Sequence, residues 1–314
     1  MATRRTRSSS VDSSTSSTFE HSTLASALPH SWKNAVICTI HEVESWQNEN
    51  QYLLGHYRTV SNSYKSSLAS LGYLHNQTCN AYTHIIGAAL FGAWAFQAYN
   101  DILTRYPTSD FDDFLAFGVF FAGAFICFGL SATFHIFGNH SLKVYQTWLL
   151  LDLYGIFALI IATVYSGTYY GFYCEKFWWK VYSAGIFIIT FSCAIFCTNS
   201  SFRGPKWKKF RALLFVAIGW YGAIPMTHMA QKWGRPKANE IIGWNLWFFE
   251  GLSYAGGAVI YAFRIPERWM PGTFDIWGAS HQIFHIFAVI GAALHYQGLL
   301  KGFDYNHNPA TRQC

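Results

Sequence analysis

The chain has 314 residues, of which 52% are hydrophobic, 19% aromatic and only 12% charged. A soluble domain usually carries about 25% charged residues, so this composition excludes a water-soluble globule and points to lipid as the main solvent. The net charge of +6 does not indicate a nucleic-acid binder, because the basic residues lie between apolar segments, where membrane proteins keep them, and form no face interleaved with aromatics.

Residues 1–30 carry Arg4, Arg5 and Arg7, then a Ser/Thr run without the apolar core of a signal peptide. They are too polar to bury a core, and a disordered tail is expected. Residues 31–79 are neither apolar enough to span nor polar enough for a plain linker. Trp32, Trp46, Tyr52, Leu53, Leu54 and Tyr57 suit an amphipathic juxtamembrane segment, on the membrane surface or under a bundle.

Seven apolar segments follow, at 80–100, 113–136, 144–168, 178–199, 210–230, 241–263 and 281–301. Each is near the roughly 20 residues that a helix needs to cross a bilayer. The predicted fold is an all-α membrane protein with a seven-transmembrane helix bundle over 80–301 and a C-terminal tail at 302–314. The protein is expected in the plasma membrane or an endomembrane. Segments three and five contain polar or small residues and segment seven contains three His, so these spans must pack against other helices.

Basic residues orient the bundle. With the N-terminus in the cytosol, the cytosolic connections hold Lys143, Arg203, Lys206, Lys208, Lys209, Arg211, Arg264 and Arg268. The opposite connections hold Arg105, Lys176, Lys180, Lys232, Arg235 and Lys237. That contrast is small, and the basic N-terminal region decides it: N-terminus cytosolic, C-terminus outside. The seven cysteines show no CxxC pair or disulfide-framework spacing. Cys127, Cys193 and Cys197 lie in apolar runs and read as small hydrophobes.

The candidate chemistry lies in His281-Gln-Ile-Phe-His285. Histidines at i and i+4 share a helix face, so both imidazoles can reach one ion. Two hydrogen-bonded core histidines would have the same spacing. His135 ends segment two, and the predicted topology places it at the membrane depth of His281 and His285. Three His with an open fourth position form a catalytic zinc arrangement. Asp152 follows across a short hairpin, one or two turns deeper, where it would orient or deprotonate water rather than ligate; a buried Asp bonded to Ser or Tyr is the alternative. Ser131, four residues before His135, either polarises a substrate carbonyl or bonds its own backbone. His295 reads as a packed core residue. His84 and His228 lie near segment ends, and His140 reads as a loop residue. The Asn76-Gln-Thr sequon falls on the predicted cytosolic side and is discounted.

Several stretches resemble the progestin and adiponectin receptor family, also called haemolysin III-related, and its adiponectin-receptor and fungal branch in particular. They are Glu49-Asn-Gln-Tyr-Leu-Leu-Gly-His-Tyr-Arg58, His75-Asn-Gln-Thr-Cys-Asn-Ala-Tyr-Thr-His84, Ser131 to His135, Leu151 to Gly155, Tyr261-Ala-Phe-Arg-Ile-Pro-Glu-Arg268, Pro271 to His285, and His295-Tyr296. The resemblance covers roughly residues 44–300. It implies a seven-helix bundle with a cytosolic N-terminus and zinc held by His135, His281 and His285, with Asp152 and Ser131 beside it. It also implies a cavity for a long-chain lipid (ceramide or free fatty acid) and hydrolysis of a ceramide-like amide. Gln51 stands where the family usually has Glu, and Gly55-His56 where it has Thr-Gly; both departures precede the first span.

Three functions compete on these residues: a zinc-dependent intramembrane amidohydrolase, a signalling receptor with structural zinc, and a pore. A pore needs a polar stripe through several spans, whereas the polar groups here gather at one end. No extracellular ligand is read from the sequence.

Overall fold

The computed structural model describes residues 36–102, 104–199, 202 and 207–314. The expected disordered tail at 1–30 lies outside the described residues. Residues 37–314 form one compact unit.

Residues 36–77 fold against the helices that follow. A short antiparallel pair, β1 (Ile37–Cys38) and β2 (Tyr57–Arg58), leads into α1 (Tyr64–Ala69), which is capped by the Ser63 hydroxyl. Arg58 is only 3% exposed and donates to the Ser70 hydroxyl and to the carbonyls of His135 and Ile136, at 2.7, 2.6 and 2.8 Å. Those carbonyls end a long helix and have no intrahelical partner, so the guanidinium caps them. Burial lowers the Arg58 pKa to about 10. Burial and the Arg58 charge together lower the His75 pKa to about 2.

The bundle follows. Helix α2 (Thr78–Gln97) ends in a π turn at Ala98–Ile102. Helix α3 (Phe111–Phe137) starts with a capping box in which Asp110 and Asp113 bond each other's backbone N–H. Next come α4 (Leu142–Gly171), α5 (Lys176–Thr198), α6 (Lys208–Gly219), α7 (Ala223–Trp233), α8 (Arg235–Ile242), α9 (Trp244–Phe263) and α10 (Ser280–His307).

Among the described residues, five segments are long and apolar enough to cross a membrane: α3, α4, α5, Leu213–Trp233 and α10. Helices α2 and α9 are not among them. Each has 20 residues, but polar groups such as Asn80, His84, Asn245 and Glu250 interrupt their apolar runs. The predicted segment at 210–230 is two helices joined by a 3-10 turn at Trp220–Gly222. The segment at 241–263 loses its first residues to α8, which ends at Gly243 in the left-handed conformation, φ +65°. Helix α10 continues to His307, so half of the predicted C-terminal tail is helical. That tail is then tied to the α4–α5 turn by a Cys174–Cys314 disulfide. The 140-residue separation of these cysteines hid the pairing from sequence reading.

Helix α10 touches α2, α3, α4, α8 and α9. Around it Phe91, Phe117, Phe120, Phe128, Tyr170 and Phe303 are fully buried. Phe125, Ile188, Phe191, Ile195, Phe249, Leu252 and Ile290 face outward, which suits a hydrocarbon solvent and would be a liability in water. Helix α3 runs closely along α4. A Cβ at Gly155 would lie 2.9 Å from the Cys127 Cα, so only glycine allows this approach.

Gly155→Val should therefore separate α3 from α4 and lower stability by about 1–3 kcal/mol, read as a fall in thermal midpoint in detergent or nanodiscs. His75 gives a second prediction. Its folded pKa, about 2, lies below the ordinary histidine value of 6.5, so below pH 6.5 the unfolded chain binds more protons. Its contribution to stability is lost as pH falls from 6.5 towards 2. His75→Gln should flatten the acid side of a midpoint-against-pH curve.

Candidate metal centre

Helix α3 delivers His135 near its C-terminus, and α10 delivers His281 and His285 in its first two turns. The three rings form a nearly equilateral triangle, with centroids 5.1 Å (His135–His281), 4.8 Å (His135–His285) and 4.8 Å (His281–His285) apart. One nitrogen from each lies within 4.8 Å of the others, so the group can hold a metal ion. His135 and His285 are buried, and His281 is half-buried.

Hydrogen bonds set the ring tautomers. His285 Nδ1 lies 3.1 Å from the Asn80 carbonyl and His135 Nδ1 lies 2.8 Å from Gln77 Oε1. Both oxygens accept, so both Nδ1 atoms carry the proton and both Nε2 lone pairs are left for a ligand. His135 Nε2 is buried without a hydrogen-bond partner. A buried bare nitrogen needs a partner, and a cation shared by three imidazoles is one. The residues present therefore fit a zinc ion.

The supports reach outside the spans. Gln77 is itself held by Asn80 Nδ2 at 2.7 Å. The start of α10 is fixed by Glu267, fully buried, which accepts from the Ser280 backbone N–H at 2.8 Å, the Ser280 hydroxyl, and Asn50 Nδ2 at 2.9 Å. Ser131 is buried one turn below His135 and interacts with the Asp152 carboxylate across the α3–α4 seam. The metal-capable cluster among the described residues contains no carboxylate, and Asp152 stands beside Ser131 rather than in it.

A polar cavity of about 30 Å³ borders His135, lined by Gln77, Arg58, Asn76, Glu49 and Tyr145 among others. About 10–15 Å³ suffices for a water. A wider apolar groove of about 560 Å³ lies between α4 and α5, lined by Tyr154, Phe191, Ala194, Ile195, Thr198 and Asn199. Tyr154 and Asp152 point about 200° apart around α4, so this groove is on the far side of the helix from Ser131.

Of the other histidines, His84 stacks on His285, with centroids 3.7 Å apart and planes at 9°. Sequence reading passed over it and over Gln77 and Asn80. The spacing Gln77, Asn80, His84 (i, i+3, i+7) marks one helix face and was the available signal. His295 is a packed core residue, and His140 lies against Tyr64. His228 bonds the Tyr182 hydroxyl at 2.8 Å.

His281→Ala should abolish stoichiometric metal retention in the purified protein, measured by elemental analysis. Gln77→Leu should leave the fold intact and weaken metal affinity by roughly 10–100-fold. Full retention after replacement of all three histidines would remove the assignment.

The family profile described as Haemolysin-III related matches residues 72–296. The adiponectin receptor protein of Drosophila melanogaster is 33% identical over 271 residues, covering 86% of this chain and 59% of the relative. This chain thus spans less than two thirds of that protein. The ADIPOR-like receptor IZH2 of Saccharomyces cerevisiae is 34% identical over 273 residues, covering 85% and 84%. The heptahelical transmembrane protein 1 of Arabidopsis thaliana is 32% identical over 278 residues, covering 84% and 80%. With its apolar helices and adiponectin-receptor-like relatives, the chain is an integral multi-pass membrane protein and belongs to the haemolysin-III-related family.

Proposed function

We propose that this protein is a zinc-dependent membrane hydrolase that cleaves a ceramide-like lipid amide into a sphingoid base and a fatty acid. The observation that carries this reading is the buried, unpartnered Nε2 of His135 in a triangle of imidazoles, one helical turn from the Ser131–Asp152 pair.

His135, His281 and His285 would hold the ion, which when bound supplies a Lewis acid that makes water nucleophilic near neutral pH. Asp152 would take a proton from the attacking water and return it to the departing amine. Ser131 would orient Asp152 or donate to the amide carbonyl. The polar cavity beside His135 gives water a place next to the site, while the apolar surroundings suit a long acyl chain.

Seven spans, with the N-terminus cytosolic and the C-terminus outside, complete the proposal. At about 1.5 Å per residue, the 20 residues of α2 and of α9 reach about 30 Å each. That is the thickness of a hydrocarbon core. Disulfides persist in oxidising compartments, so the Cys174–Cys314 bond favours an outer location for the C-terminus. Residues 31–79 would be a cytosolic platform under the bundle. The second reading, a receptor in which zinc is structural, is favoured by the names of the fly and yeast relatives.

Purified protein in lipid nanodiscs should release fatty acid from ceramide. Asp152→Ala and His285→Ala should each lower that release by about 10²-fold or more, with Asp152→Ala retaining its zinc. Equal release from all three proteins would remove the hydrolase reading and leave the receptor.

A further inference from the structure

Ten residues beyond His285, about 15 Å along α10, lies an ionisable group that the metal centre does not use. His295 is 1% exposed and bridges two other helices. Its Nδ1 lies 2.8 Å from Glu250 Oε2 on α9 and its Nε2 lies 3.1 Å from Ser166 Oγ on α4. Ser166 is fully buried and Glu250 is 8% exposed. Ionisable groups at such depth are costly and default to function.

Hydrogen-bond directions count the protons. The Ser166 hydroxyl lies 2.6 Å from the Ala162 carbonyl, and a carbonyl only accepts, so the one hydroxyl hydrogen goes there. Ser166 Oγ must then accept from His295, and Nε2 carries a proton. The contact between Nδ1 and Glu250 Oε2 needs a second proton, on one atom or the other. The pair thus holds two protons and is neutral overall, as imidazolium with carboxylate or imidazole with carboxylic acid. With one proton fewer, the pair would carry a net negative charge in a low-dielectric interior, which is unfavourable. Ser166 would also have to turn its hydrogen from Ala162 to the bare Nε2.

We propose that Glu250, His295 and Ser166 form a proton-binding site inside the bundle, which holds one proton shared between the Glu250 carboxyl and His295 Nδ1. Its two states differ by that proton and by the direction of the Ser166 hydroxyl. Glu250 is the charged group facing His295. Helix α9 also brings Tyr254 one turn away and Trp247, which stacks on the ring; α3 brings Phe120 against the ring, and α4 brings Ser166. Because the site joins α4, α9 and α10, loading clamps the helix that carries His281 and His285. The inference does not depend on hydrolysis or on a bound metal.

The test is ¹⁵N-histidine NMR of the protein in lipid nanodiscs near neutral pH, with the His295 signals assigned through their displacement in Ser166→Ala. A protonated Nε2 on His295 is expected. In Glu250→Gln the amide N–H can donate to Nδ1, and the neutral ring should keep a single proton, on Nε2. An unprotonated Nε2 in the unmodified protein overturns the proposal, whether or not the variant folds. A neutral ring beside an ionised Glu250 carboxylate, read from the carboxyl band in infrared difference spectra against Glu250→Gln, also overturns it.

Discussion

Lipid offers no hydrogen bonds, so each polar group within a span has to be satisfied by another part of the protein. In this bundle that demand falls on α10. Its N-terminal end presents His281 and His285 to His135 of α3. Its middle binds Glu250 of α9 and Ser166 of α4 through His295. Its C-terminal end places His307 Nε2 3.0 Å from the fully buried Asp113 of α3. Three tiers of histidine along one helix explain why α10 packs against so many partners.

The same demand explains how the metal centre is held. Two of the three imidazoles use their Nδ1 protons elsewhere, His285 on the Asn80 carbonyl of α2 and His135 on the side chain of Gln77, the residue that precedes that helix. The juxtamembrane segment adds a second layer. Arg58 caps the carbonyls of His135 and Ile136, and Asn50 joins Glu267, which fixes the first residue of α10. The metal-capable end is thus assembled jointly by the helices and by the residues that precede them.

Close backbone approach serves the site as well. At Gly155 α4 meets the backbone of α3, which brings Asp152, three residues earlier, up to Ser131. Dispersion between closely packed backbones, rather than exclusion of water, drives such contacts in lipid. A polar pair at this seam is therefore positioned by the smallest residue beside it.

Much of this was legible in the sequence because lipid imposes simple rules. Scarce charge and long apolar runs determined a multi-pass helical protein, and the i, i+4 spacing put His281 and His285 on one face. Alternation of the spans added His135, since helices of nearly fixed length return to the same depth. Hydropathy averages over residues and does not see direction, so it could not tell that α8 and α9 break at Gly243, or that 210–230 is two helices. Nor could spacing find Cys174 with Cys314, Arg58 under His135, or His295 between Glu250 and Ser166. Those partners lie 140, 77 and up to 129 residues apart. Only tertiary packing decides which groups on different helices meet at hydrogen-bonding distance, and that meeting sets both the tautomers of the metal-capable histidines and the proton count of the buried pair.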